Sequence, residues 1–155
     1  YQQLLLISCQ AMNPTEVITQ RLRAQGLRLT PQKRVVIGLL QNNATHPTVD
    51  SLYENARQEV PSISRRTVYQ TVNDLESMGE VTLLDLGTGS VRVDPNVEHL
   101  HHHMICSECG VVRDAVIDVS ALTPSARDRR DFDVTDVEVN FRGVCRNCQD
   151  NGKTA

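Results

Sequence analysis

The sequence predicts an α+β chain in two parts, a helical first half that ends in a hairpin and a small α/β second half that carries paired cysteines. Three observations predict it. Apolar residues recur at helical spacing as far as Met78. Two short β-type runs flank Gly87-Thr88-Gly89, and Val- and Ile-rich alternating runs follow residue 110. The second half also holds Cys106-x-x-Cys109 and Cys145-x-x-Cys148, separated by the long stretch 110–144.

Each element has its own signal. Thr15 is the expected cap of a first helix through Val17, Ile18 and Leu22, which Gly26 ends. Thr30-Pro31 caps a second, with proline at the first helical position and Val35, Val36, Leu39 and Leu40 as its apolar stripe. Thr48 starts a third, with Leu52, Tyr53 and Ala56 inward, and Pro61 separates it from the fourth. Ser64 caps that fourth helix, Arg65–Gly79, whose apolar face is Val68, Val72, Leu75 and Met78. Its other face carries Arg65, Arg66, Tyr69, Gln70 and Asn73, donors and stackers suited to base edges and phosphates. Val81–Leu86 and Ser90–Asp94 form the hairpin. Short helices followed by a hairpin make an N-terminal winged helix-turn-helix, whose fourth helix enters the DNA major groove. In the second half Val111–Val119 and Val134–Val144 read as strands, with a short helix over Ala121–Arg130 between them.

The expected organisation is residues 12–88 as the winged-helix DNA-binding domain, 89–96 as a hinge, 97–150 as the second domain and 151–155 as a tail. Residues 1–11, with Cys9, read as an extension or cloning remnant ahead of Met12-Asn-Pro-Thr-Glu. No apolar run approaches the ~20 residues of a membrane span, so a soluble cytoplasmic protein without membrane contact is expected.

A CxxC pair places two thiolates on one turn, and two pairs complete a closed four-thiolate zinc site with no open position for chemistry. Cys106, Cys109, Cys145 and Cys148 are therefore the expected ligands of a structural Zn2+. Two disulfides are the competing reading, but they belong to secreted chains. Leu4–Ile7 is too short for a signal peptide and has no basic residues before it. The aromatic-poor composition, with no Trp and two Phe, makes a metal staple useful to so small a domain.

All five histidines are His46, His99, His101, His102 and His103. On a strand His101 and His103 share one face and His102 takes the other. With Asp94 and Asp114 as carboxylates nearby, such a set suits Fe(II), Mn(II), Co(II) or Zn(II). A polar strand end and a tag-like run are the plainer readings; Glu98, Leu100 and Cys106 around it argue against a tag. The net charge of −3 conceals an asymmetry. Arg21, Arg23, Arg28, Lys33 and Arg34 lie in one stretch without acids, and the whole acid excess falls in residues 87–155. That suits a first half that meets phosphate, and equally a solvated helix face. A zinc hydrolase and a purely structural zinc module remain as rivals. The first needs three ligands, a bound water and a base. The second predicts DNA affinity indifferent to Fe or Mn.

Several segments together resemble the ferric uptake regulator family. They are Gly26-Leu-Arg-Leu-Thr-Pro-Gln-Lys-Arg, His46-Pro-Thr-Val-Asp, the helix Ser64–Gly79 with Thr67-Val68-Tyr69, His101-His-His-Met-Ile-Cys-Ser-Glu-Cys-Gly, and Gly143-Val-Cys-Arg-Asn-Cys. The resemblance covers residues 16–148. It implies a metal-dependent transcriptional repressor, not an enzyme, acting as a homodimer on a palindromic DNA operator. The second half is then a small α/β dimerisation domain. By position, Cys106, Cys109, Cys145 and Cys148 match the family's structural zinc ligands. His46, Asp94, His101, His103 and Asp114 match its regulatory Fe2+ or Mn2+ ligands. The spacing from Asp94 to His101 is one residue longer than the family pattern, which leaves Glu98 as the alternative carboxylate. Arg28, Ser64, Arg65, Arg66, Thr67, Tyr69 and Gln70 are the expected DNA contacts. Aspartate at position 94, in the context Arg92-Val93-Asp94, is most like the peroxide-responsive branch. There His46 and His101 are the oxidation-sensitive ligands under Fe(II)-catalysed chemistry. An iron- or zinc-responsive repressor of metal uptake genes is the alternative.

Overall fold

A computed structural model describes residues 12–97 and 101–152. The expectations for residues 1–11, Cys9, Glu98, His99 and the end of the tail lie outside the described residues. The chain forms two compact units, Tyr1–His99 and Leu100–Ala155.

The first unit contains α1 (Thr15–Ala24), α2 (Pro31–Leu40), α3 (Val49–Glu59), α4 (Arg65–Ser77) and an antiparallel pair, β1 (Thr82–Leu84) with β2 (Arg92–Asp94). Three helix starts follow the expected capping chemistry. Thr30, Thr48 and Ser64 each accept a bond from the backbone N–H three residues on. The start of α1 differs. Pro14 occupies the cap and Thr15 is already helical, its hydroxyl bonding Gln41 Oε1 at 3.0 Å. The backbone N–H of Val17 bonds the Pro14 carbonyl at 2.9 Å instead, a tight first turn that takes up one of the donors a side-chain cap would satisfy. Gly26, at φ 73°, turns the chain out of α1 in the left-handed region that glycine enters without strain.

Ile18, Leu22, Ile37, Leu40, Leu52, Val68, Val72 and Leu75 close a single core among the four helices. Glu80, Asp94 and Asp74 are carboxylates buried in this unit. Glu80 is fully buried, accepting from Arg21 at 2.5 Å and from Asn13 at 3.1 Å. A buried charge is tolerable only when paired and hydrogen-bonded, and these two partners supply both. Residues 89–96 contain β2, whose register runs Thr82↔Asp94 to Leu84↔Arg92.

The second unit is a three-stranded sheet of β3 (His102–Cys106), β4 (Val112–Ala115) and β5 (Asn140–Gly143), in the order β4-β3-β5, followed by the short helix α5 (Arg146–Asn151). β3 runs antiparallel to β4 and parallel to β5. The helix expected over Ala121–Arg130 is absent, and that segment is a series of turns. Pro124 removes a helical donor and disfavours the helical conformation of Thr123. Ser125 then bonds its own chain through Asp128 at 2.6 Å. The strand expected over Val134–Val144 shortens to four residues, because β3 offers partners only from His103↔Asn140 to Cys106↔Gly143. Among the described residues no helix is long and apolar enough to cross a membrane.

Candidate functional site

The two CxxC pairs converge. Cys106 ends β3, Cys109 sits in the turn to β4, Cys145 caps α5 and Cys148 lies within α5. Cys106 Sγ is 3.9 Å from Cys148 Sγ, and Cys109 Sγ is 3.7 Å from Cys145 Sγ. All four sulfurs lie within 4.8 Å of one another and none is in a disulfide. A tetrahedral ion with zinc–sulfur bonds of ~2.3 Å sets its sulfurs ~3.8 Å apart. The cluster therefore fits a structural zinc.

Its electrostatics fit as well. Backbone N–H groups of Cys109 and Cys145 hold the Cys106 thiol down at about 6, the latter donating to Cys106 Sγ at 3.3 Å. Cys148, hydrogen-bonded among the sulfurs of Cys109, Cys145 and Cys106, is pushed up to about 12. Without a cation Cys148 holds on to its proton beside the Cys106 thiolate, and a divalent metal displaces that proton.

A second donor set lies earlier on the same strand. His101, which precedes β3, and His103 within it have ring centroids 4.9 Å apart, edge to face. His101 Nε2 is 3.9 Å from Asp114 Oδ1 on β4, and His103 pairs in register with Asp114. One ligand atom from each of the three lies within 4.8 Å of the others. Two imidazoles and a carboxylate form a borderline donor set for Fe(II), Mn(II) or Zn(II). His102 takes the opposite face as expected. It is buried, and its Nδ1 accepts from Val139 N at 3.3 Å, so its observed role is to hold the start of β5. Glu138, not anticipated from the sequence, places Oε1 3.8 Å from His103 Nδ1.

In the first unit His46 and Asp94 meet: His46 Nε2 lies 3.5 Å from Asp94 Oδ1, both buried. His46 has φ 48°, a left-handed conformation uncommon outside glycine. The surroundings impose it. Arg92 donates to the His46 carbonyl at 3.2 Å, Val93 N donates to the Pro47 carbonyl at 2.9 Å, and Thr48 bridges to Arg92. Strand β2 thus fixes both the loop and the carboxylate. Sequence spacing gave no hint of Arg92 in this role.

The exposed face of α4 carries Arg66, Tyr69, Gln70 and Asn73, with Tyr69 45% exposed. Ser64 and Thr67 are engaged in capping, their hydroxyl oxygens 2.9 Å apart. Arg65 folds onto α3, bonding Asp50 and Glu54 with its guanidinium 4.5 Å from the Tyr53 ring centre. Arg28 is exposed. Lys33 is committed to Asp74, 2.6 Å away, and Asp74 also accepts from Gln70 at 2.8 Å. The basic stretch therefore presents less free charge than its composition suggests, since Arg21 and Lys33 both serve buried carboxylates.

The ferric uptake regulator family model matches residues 24–142. The peroxide-responsive repressor PerR of Staphylococcus aureus is 36% identical over 130 residues, 83% of this chain and 87% of that protein. Among solved structures, the Helicobacter pylori ferric uptake regulator Fur superposes with a TM-score of 0.75 at 20% identity, over 90% of this chain and 96% of that one. A zinc-bound manganese uptake regulator superposes with a TM-score of 0.69 at 28% identity, over 83% and 98%. With most of its length matched by the family model and by a curated relative, the chain belongs to the ferric uptake regulator family.

Proposed function

We propose that this protein is a metal-dependent, DNA-binding transcriptional repressor of the cytoplasm that senses hydrogen peroxide. The observation that carries the reading is the pair of buried imidazole–carboxylate sets, His46 with Asp94 in one unit and His101, His103 and Asp114 in the other. His101, His103 and Asp114 alone offer three donors to a borderline divalent ion, and the two sets together provide five. Cys106, Cys109, Cys145 and Cys148 hold a separate structural zinc.

The first unit acts as a winged helix-turn-helix, with α4 as the recognition helix and β1–β2 as the wing. Arg66, Tyr69 and Gln70 face base edges or phosphates, Arg28 reaches the backbone or minor groove, and Ser64, Arg65 and Thr67 shape the entry of α4. The second unit makes the homodimer. Val116, Phe132, Leu122, Met104 and Phe141 are exposed there, apolar side chains that a dimer interface would cover. Residues 12–88, the hinge 89–96 and residues 97–150 are the working divisions.

Ligands drawn from both units make metal occupancy set the angle between them. In a two-fold dimer that angle fixes the separation of the two α4 helices, which must match palindromic half-sites. His46 and Asp94 hold the DNA-reading side of this clamp, and His101, His103 and Asp114 hold the dimer side, so the regulatory metal favours the DNA-competent state. When bound, Fe(II) supplies one-electron reduction of peroxide beside these imidazoles. The net change would be one oxygen of H2O2 added to a ring carbon of His46 or His101 and the other released as water; the oxidised ring would donate poorly to the metal and the clamp would open. The thiolates, engaged with zinc, stay out of this chemistry.

The 36% identity to a peroxide-responsive repressor supports this branch. The likeness to a manganese uptake regulator supports a second reading, a repressor of metal uptake genes that responds to iron, zinc or manganese. Operator binding measured with Fe(II), Mn(II) and Zn(II), each before and after peroxide, separates them. Release only in the Fe(II) arm after peroxide is the expected result. Metal-dependent binding that peroxide leaves unchanged in every arm selects the second reading.

A further inference from the structure

The inference rests on the proposed reading of α4 as the helix that meets DNA, and it concerns what Gln70 reads. Gln70 is exposed on α4, and its Nε2 donates to Asp74 Oδ1 one turn along at 2.8 Å. A carboxylate can only accept, so chemistry fixes which end of the amide faces Asp74: the nitrogen points to it and Oε1 points away. Asp74 is itself anchored. Its other oxygen lies 2.6 Å from Lys33 Nζ on α2, with side chains 9% and 14% exposed. A charge pair sheltered between two packed helices does not reorient as a surface pair does. Turning the Gln70 amide over would set Oε1 against a carboxylate oxygen.

We propose that Lys33 and Asp74 are positioning residues that lock the Gln70 amide so that it reads adenine in the major groove. With one N–H committed to Asp74, the amide retains Oε1 and its second N–H. Adenine presents an N6 donor and an N7 acceptor, the complement of that pair. Guanine presents two acceptors, O6 and N7, and brings O6 against Oε1. A free glutamine turns over and donates to guanine; the locked one does not. The Lys33–Asp74 pair therefore converts a permissive side chain into a selective one without touching DNA.

The test starts from selection of bound sequences out of a random pool by the full-length, Mn(II)-loaded protein. Competition binding then compares adenine with guanine at each position of the selected operator. The parent is expected to prefer adenine at one position per half-site by roughly tenfold. Gln70→Ala and Asp74→Leu are both expected to lose that preference at that position and keep it elsewhere. The double variant Lys33→Met/Asp74→Leu removes both charges together, protects the fold from an orphaned lysine, and is expected to show the same loss. If Asp74→Leu and the double variant keep the parent's base preference, the proposal is wrong, even where total affinity falls. A Gln70→Ala protein with unchanged preference at every position also overturns it. A parent that selects no sequence at all overturns the DNA-binding reading, and the inference with it, before any variant is measured.

Discussion

Removing one zinc ligand should dissolve half of this protein and spare the other half. In the second unit the buried apolar residues among those described are Ile105, Cys106, Val112 and Ala115. Fully burying one aliphatic side chain contributes about 1.5–3 kcal/mol. A structural zinc site contributes about 10–16 kcal/mol of apparent binding free energy at neutral pH. The metal therefore outweighs the core of its own unit. The first unit buries Ile18, Leu22, Ile37, Leu40, Leu52, Val68, Val72 and Leu75 and includes none of the four ligands. Cys148→Ser should lose the ion, and the amides of β3, β4 and β5 should then exchange as in an unstructured chain. Those of α4 should keep their protection. Zinc stoichiometry by native mass spectrometry and hydrogen exchange by peptide are the two measurements. A variant that retains one zinc per chain refutes the ligand assignment. A zinc-free variant that keeps β3–β5 protected refutes the claim that metal dominates the stability of this unit.

Tyr69→Ala should weaken operator binding by about 1–3 kcal/mol if it reads a base, and Arg28→Ala should lower the salt slope of binding by about one; unchanged anisotropy titrations in both would remove this surface from the interface. His46→Ala should keep its zinc and its dimer in sedimentation yet no longer gain DNA affinity from Mn(II) or Fe(II), and a variant that still responds like the parent takes His46 out of the site. With Fe(II), low peroxide should add one oxygen to a tryptic peptide containing His46 or His101 and release DNA, while Mn(II) protects. Cysteine disulfides with unmodified histidines would point instead to a thiolate switch, and Asp94→Glu should slow the response while sparing metal-dependent binding. Leu75→Ala, at a fully buried position of α4, should destabilise the first unit by about 2–5 kcal/mol in urea unfolding, and a cost under 1 kcal/mol would show that α4 is not anchored by its apolar face.

Much of this architecture is legible in the sequence where one local signal dominates. Thr30-Pro31, Thr48 and Ser64 announce helices because a capping side chain acts within three residues. The hairpin around Gly87-Thr88-Gly89 and the cysteine cluster declare themselves by spacing. What stays hidden depends on partners distant in sequence. The length of β5 is set by β3, so the alternating valines before Asn140 promise a longer strand than the sheet provides. Pro124 defeats a helix that the surrounding composition favours. The pairing of Lys33 with Asp74 spans 41 positions, and no periodicity reveals that these charges neutralise each other rather than face solvent. Residue type marks His46 in the first unit and His101, His103 and Asp114 in the second. The left-handed backbone at His46 and the Arg92 that supports it emerge only when β2 is laid beside the loop.

The parallel pairing of β3 with β5 has a consequence for synthesis. The first unit folds from neighbours in sequence, each helix packing on the next, and such local topologies form quickly. The second cannot be completed in the same way. Its central strand meets β4 across a short turn but waits for its second partner, β5, beyond the long stretch 116–139, and its sulfur pairs join residues 42 and 36 positions apart. At about 5–20 residues per second, the ribosome needs roughly three to ten seconds to go from the end of the first unit to Cys148. For that interval a folded amino-terminal half emerges ahead of a carboxy-terminal half that has no stable structure to adopt. Completion then depends on capture of an ion from the surroundings, so the pace of maturation is set by zinc supply as well as by chain growth.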